Sequence, residues 1–390
     1  MNLKLNKSIS LLFLFFFILS LLFPTTIFNK VIFIILMGFT VLNHKIYKLK
    51  TVSPFFVFFI FLFGFIYSFF NNSDSDLRLQ FFLSVLVLFL IYPILKYKID
   101  IDYIAKVSGL VMALYTGISF LIIVTFMNSP ISGAYYKLFF EVSSGGYSLR
   151  EFGEEGTLSF HVGTVPFIYL SFVLYVKSFI EKKKTSTFLI ILILSITIYV
   201  SVSRGLIISC IVGAGYIVFF KTKLVNKIIF LMTSIPLLVI TILYLMANTG
   251  VFSSGETSNS IKIGHYVSFV EHIDFFNFFI GEGLASYYYS KGTNSMLAHT
   301  EITPLDMIRY FGFILATLLY FVIVFPSKKI TSYLGPNSLY VVLFLIYVIN
   351  SMTNPIMFNS YGLLIVLWYW NKILCDRNVN SGHDFETPAT

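Results

Sequence analysis

Ionisable side chains are scarce in this chain of 390 residues, where Asp, Glu, Lys and Arg make up 12%, and they crowd into one stretch. Between Thr249 and Arg309 stand His265, Glu271, His272, Asp274, Glu282, His299 and Glu301, with Asp306 and Arg309 just inside the apolar run that follows. His299-Thr-Glu301 sets an imidazole beside a carboxylate. Either could take a proton from an attacking hydroxyl, the imidazole being nearer the required pKa at neutral pH and the carboxylate needing desolvation to reach it. Asp306 and Arg309 are three apart, so on a helix they share a face and can pair. If that helix enters the membrane at Thr303, Arg309 lies ~9 Å below the surface, where a charged face must look into the protein interior or a water-filled cleft. The pair is either structural or part of a site for an anionic group.

A second candidate is Ser201-Val-Ser-Arg-Gly205, between two apolar runs. The 36 residues separating Lys184 from Lys221 leave about 18 per helix, or ~27 Å each, which barely crosses a hydrocarbon core of ~30 Å. Arg204 therefore sits at or just below the membrane edge, as a headgroup anchor or as a contact to a substrate phosphate. Arginine grips phosphate with a planar fork that lysine lacks. Arg150, beside Glu151, Glu154 and Glu155, and Lys262, early in the long polar stretch, are the other basic candidates. No His/Cys/Asp spacing typical of a metal site is present, nor a phosphate-binding loop, a dinucleotide fingerprint or a nucleophile elbow. We expect no metal and no cofactor.

These residues must be positioned by membrane helices. With 57% hydrophobic and 19% aromatic residues, the composition lies outside the soluble range and predicts an all-α polytopic integral membrane protein. Apolar runs of spanning length fall near 9–27, 30–43, 54–71, 80–95, 104–127, 161–180, 187–203, 205–220, 228–248, 303–325, 338–352 and 356–371, about twelve transmembrane helices. The apolar start, led by Lys4 and Lys7, lacks a small-residue cleavage site and is taken as the first anchor. With the N-terminus inside, 19 of the 27 basic residues fall in the cytoplasmic loops and 8 outside. That distribution obeys the positive-inside rule and places both termini in the cytoplasm. The net charge of +9 is thereby a matter of topology, and nucleic-acid binding is not expected. One transmembrane domain over 1–375 carries periplasmic loops at about 128–160 and 249–302, the larger between the ninth and tenth helices, and 376–390 forms a polar, disordered tail. The 128–160 loop is either a lid or a solvated connector. Within the larger loop, Tyr266, Phe269, Val270, Ile273, Phe276 and Phe279 recur at helical spacing, as in a helix lying at the membrane interface.

Ser203-Arg204-Gly205 at an outer turn, Gly281-Glu-Gly283-Leu284 in a large outer loop, and the His299 to Gly312 approach to the next span together resemble the bacterial O-antigen polymerase and O-antigen ligase superfamily. The likeness covers the whole architecture, with specific motifs over about 201–215 and 261–315. It implies an inner-membrane glycosyltransferase working on the periplasmic face without a metal. Such an enzyme takes undecaprenyl-pyrophosphate-linked oligosaccharide as donor, works among membrane lipids, and admits a chain-length regulator protein as partner. Carried over by position, Arg204 matches the arginine of the family's Ser-Arg-Gly turn and His299 the histidine before the last large-loop helix, with Glu301 and Arg309 matching less exactly; His299 or Glu301 would serve in catalysis, and Arg204, Arg309, Lys262 and, as an outer-loop arginine only, Arg150 would hold the pyrophosphate. Lys262, or His265, stands where the family often has arginine, and His299 lies thirteen residues before Gly312, a spacing that favours the polymerase. An O-antigen ligase and a non-enzymatic flippase for the same lipid-linked sugar are the alternatives.

Overall fold

The computed structural model describes residues 2–24, 26–42, 51–126, 129–137, 147–152, 157–201, 203–221 and 257–375, with isolated positions between 223 and 243. The described helices are α1 (Asn2–Leu22), α2 (Ile27–Leu42), α3 (Ser53–Tyr67), α4 (Ser75–Val85), α5 (Ile91–Lys96), α6 (Ile101–Thr125), α7 (Pro130–Tyr136), α8 (Ile168–Lys182), α9 (Thr185–Val200) and α10 (Arg204–Lys221). After the large loop begins they continue as α11 (Thr257–His272), α12 (Phe275–Ile280), α13 (Thr303–Val324), α14 (Ser338–Met352) and α15 (Ser360–Leu374). Among the described residues six helical segments are long and apolar enough to cross a membrane: Ser53–Phe70, Ser75–Lys96, Ile101–Thr125, Arg204–Lys221, Thr303–Val324 and Gly335–Met352. Asn6–Leu22, Ile27–Leu42 and Thr185–Val200 are shorter apolar helices. The architecture is that of an all-α membrane protein. The expected span at 228–248 lies largely outside the described residues, as does the tail at 376–390.

The last helix is the post around which the others stand. Every residue of α15 from Gly362 to Trp370 is buried, as happens to a helix that is apolar on all sides. It is surrounded by α1, α4, α5, α6 and α14. Its aromatic polar atoms all find partners: Trp368 Nε1 donates to Asp102 Oδ1 at 2.8 Å, Tyr369 OH to the Val324 carbonyl at 2.7 Å, and Trp370 Nε1 to the Ile323 carbonyl at 2.8 Å. Lys372 Nζ closes the far end on Asp102 Oδ2 at 2.6 Å. Buried indole and phenol groups are tolerated because they are hydrogen-bonded.

Two short antiparallel hairpins depart from the all-helical expectation. β1 (Tyr147–Phe152) pairs with β2 (Thr157–Val162), and β3 (Tyr288–Ser290) with β4 (Ser295–Leu297). The 128–160 segment, expected as lid or connector, thus ends in a hairpin, and the run read as a span from 161 begins as strand, with α8 starting only at Ile168. The amphipathic stretch at 266–280 is also two helices instead of one. Asp274 breaks it, its carboxylate accepting from the Asn277 amide at 2.6 Å as the cap of α12. Its apolar residues Tyr266, Val270, Phe276 and Phe279 are exposed, whereas His265, Ser268 and Phe269 turn inward. An outward apolar face on a peripheral helix is the pattern of an interfacial element.

Candidate functional site

The site is built where the large loop meets α13. That helix bends at Gly312, whose φ of +73° and ψ of 162° are not helical. The bend releases carbonyls that a straight helix would use itself, and the loop takes them: the Glu282 amide donates to the Arg309 carbonyl at 2.7 Å and the Gly283 amide to the Tyr310 carbonyl at 3.0 Å. The next amide, Leu284, donates to the Gly64 carbonyl of α3 at 2.9 Å. Gly281-Glu-Gly283 is therefore wedged between α3 and the bend. A side chain on Gly283, at φ +93°, would come within 2.5 Å of the Ser68 backbone.

A single buried arginine fixes both feet of the β3–β4 hairpin above this wedge. Arg309 Nη1 donates to the Ser286 carbonyl, just before β3, and Nη2 donates to the Ala298 carbonyl, just after β4, at 2.8 Å. The same Nη2 lies 3.0 Å from Asp306 Oδ1, and the guanidinium carbon stands 4.6 Å from the Tyr288 ring centre and 4.8 Å from that of Tyr310. Arg309 and Asp306 are each 1% exposed. The expected ion pair is present, but the guanidinium is enclosed by carbonyls, a carboxylate and two rings. It has no open face for a pyrophosphate, and its place in this geometry is that of a clamp.

Asp306 serves the other side as well. Its Oδ2 accepts from the Thr300 amide at 2.8 Å and the Thr300 hydroxyl at 3.1 Å, so an acid in the first turn of α13 reaches back over the preceding loop. The same oxygen lies 3.0 Å from His299 Nδ1, within ion-pair distance though without hydrogen-bond alignment. Phe81 of α4 meets the imidazole edge to face at 5.3 Å. His299 is half-buried, and among the described residues nothing bonds its Nε2. An imidazole with a buried carboxylate 3.0 Å from its inner nitrogen, a charge that favours its protonated form, and with its outer nitrogen unbonded is placed to act as a general base.

Around His299 stand two further pairs. Lys262 Nζ of α11 lies 3.7 Å from Glu301 Oε2, both partly solvated. This is a weak exposed pair that leaves the Glu301 carboxylate accessible. One turn on from Lys262, His265 is only 2% exposed and its Nδ1 lies 2.6 Å from the Ser290 hydroxyl of β3. Burial pushes this imidazole below its ordinary value, while Glu301 and Asp306 pull in the opposite direction. Tyr288, also buried, is pushed up to about 12 and stays a neutral phenol.

Four expected residues therefore meet in one place: His299, Glu301, Lys262 and Arg309. Arg204 is the first residue of α10, half-buried, and its neighbour Gly205 packs on Asn350 and Asn354 at the end of α14. Thr303, at the start of α13, donates to the Ser351 carbonyl at 2.8 Å and the Asn354 carbonyl at 3.3 Å. The Ser-Arg-Gly turn and the His299 loop are thus joined through one short segment. Arg150 is on β1 opposite Ser159, and its side chain lies outside the described residues. Ser290, Tyr288 and Phe81 are not marked as site residues by sequence, whereas His265 is, as the alternative to Lys262. His265 had a signal, since it follows Lys262 by three and shares its helix face. Among the described residues no three His, Cys, Asp or Glu side chains gather as metal ligands would. Comparison with protein-family models, with curated proteins and with solved structures finds no match to this chain.

Proposed function

We propose that this chain is a membrane glycosyltransferase of the O-antigen polymerase type, which moves oligosaccharide repeat units from undecaprenyl pyrophosphate to a glycan acceptor on the periplasmic face. The observation that carries the reading is the Asp306–His299 pair with an open imidazole nitrogen, at the end of the helix bundle and beside cations. His299 Nε2 takes the proton of the acceptor hydroxyl as its oxygen bonds to the anomeric carbon of the donor sugar. The bond from that carbon to the pyrophosphate oxygen breaks, and the lipid pyrophosphate leaves with the electron pair. The Asp306 carboxylate, 3.0 Å from Nδ1, stabilises the protonated imidazole by its charge. Lys262 and Arg204 are the cations offered to the leaving pyrophosphate, with Arg150 a third; Arg309 acts through the scaffold. A ligase would use the same base with a different acceptor.

The test is turnover of purified protein in lipid with a defined lipid-linked repeat unit. His299→Ala should reduce the rate by about 10²–10⁴, the usual share of a positioned base, with donor binding nearly intact. Glu301→Gln should retain most activity. A dead Glu301→Gln beside an active His299→Ala would transfer the role to the carboxylate, and full activity in both would refute the site.

A further inference from the structure

Away from His299, on the other side of α4, lies a half-open cavity of about 590 Å³ between α1, α2 and α4. Its walls are apolar, with Phe16, Phe33, Leu83 and Val87 facing the space. Two polar atoms on residues that line it find no protein partner among the described residues. Ser20 Oγ belongs to a residue 0% exposed and Asn29 Oδ1 to one 5% exposed. Only the amide nitrogen of Asn29 is used, donating to the Pro24 carbonyl at 2.8 Å. Buried polar atoms without partners are rare and costly, and here both belong to residues that line a space large enough for a ligand.

The cavity is polar at one end. Asn29 and Lys30 begin α2 and Asp76 begins α4, at the end of the bundle that carries the large loop, while Val87 lies eleven residues further along the chain. At helical rise that is about 16 Å, half of a ~30 Å hydrocarbon core and so the depth of one leaflet. We infer that this cavity is a binding site for a phospholipid of the surrounding bilayer, one acyl chain lying between α1, α2 and α4 and the headgroup resting on Asn29, Lys30 and Asp76. The Lys30 ammonium suits the phosphate, the Ser20 hydroxyl an ester carbonyl, and Asn29 Oδ1 requires an N–H or O–H donor. Asp76 at the rim favours a cationic donor. Phosphatidylethanolamine carries all of these groups. The site has a structural consequence, because α4 presents Phe81 to His299 on its opposite face, so a lipid here braces the wall of the candidate catalytic site.

The inference does not depend on the proposed transferase activity and is tested by lipid retention. Full-length protein is delipidated, mixed with phosphatidylethanolamine or phosphatidylcholine, and weighed intact by native mass spectrometry. One phosphatidylethanolamine should persist, with phosphatidylcholine, which lacks the N–H donor, held less tightly. Lys30→Gln, at an exposed rim position, and Asn29→Leu should each weaken retention roughly tenfold, the share of one charge-assisted or buried hydrogen bond. Unfolding temperature measured with and without phosphatidylethanolamine should rise for the wild type and rise less for both variants. Equal retention in wild type and variants, retention of a polyprenyl phosphate in preference to phospholipid, or no retained lipid would each overturn the assignment.

Discussion

The Asp306–Arg309 pair offers the sharpest test of how the site is held. The two side chains are each 1% exposed and 3.0 Å apart, and at an effective dielectric of about 20 their attraction is about 5.5 kcal/mol. Most of that offsets the cost of removing both charges from water, so the net value of the pair is modest, but breaking it is expensive. Asp306→Asn keeps the shape and leaves a buried guanidinium with carbonyls alone, a loss expected at about 3–5 kcal/mol. It also turns an amide towards the Thr300 N–H, which had donated to Asp306 at 2.8 Å. Arg309→Met strands the carboxylate and releases the Ser286 and Ala298 carbonyls, a loss of the same order. In the double variant both charges are gone, so its destabilisation should fall well short of the sum. The assay is reversible unfolding of purified protein in detergent for all four members of the cycle, with modification of His299 by diethyl pyrocarbonate as a local readout. Losing Asp306 removes the charge beside the imidazole and should change its reaction rate. Additive effects, or an Asp306→Asn protein as stable as wild type, would refute the claim that this pair is desolvated and clamps the hairpin.

Three further outcomes are expected. Gly283→Ala drives a methyl group into the Ser68 backbone, at 2.5 Å and at a positive φ, and should cost about 1–3 kcal/mol or more; thermal unfolding equal to wild type would show that the wedge between α3 and α13 is not formed. His265 has a folded pKa held below its unfolded value by burial. The unfolded chain therefore binds more protons, and the stability His265 contributes is full above about pH 6.5 and is lost as pH falls through the folded value; His265→Gln should flatten that slope below about pH 6.5, and an unchanged slope would assign it elsewhere. For topology, with Cys375, which is exposed, replaced by Ser, a cysteine at exposed Asn294 should react with an impermeant reagent added to the periplasmic side. One at exposed Lys183 should not, and the reverse pattern would invert the chain.

Much of the bundle was legible because a lipid-facing helix must be apolar over its length. The runs at 54–71, 104–127, 205–220, 303–325 and 338–352 match α3, α6, α10, α13 and α14 to within a few residues. Their legibility has a plain cause: in hydrocarbon every backbone group must be satisfied within the helix, so composition dictates structure. The two hairpins were not legible. Tyr147–Phe152 and Thr157–Val162 pair with one another, and that pairing is a relation between segments that neither segment's composition encodes.

The same division runs through the candidate site. Sequence alone marked His299, Glu301, Asp306 and Arg309, since charged residues at a membrane edge are costly unless they are used or paired. It also gave the Asp306–Arg309 spacing. Tertiary structure decided what each one does. The bend at Gly312 frees the Arg309 and Tyr310 carbonyls for the Gly281–Gly283 loop, which seats the hairpin so that Arg309 is sealed beneath it and Asp306 faces His299. Whether an arginine grips a ligand or a pair of backbone carbonyls depends on which groups close over it, and those groups come from parts of the chain that spacing along one helix does not reach.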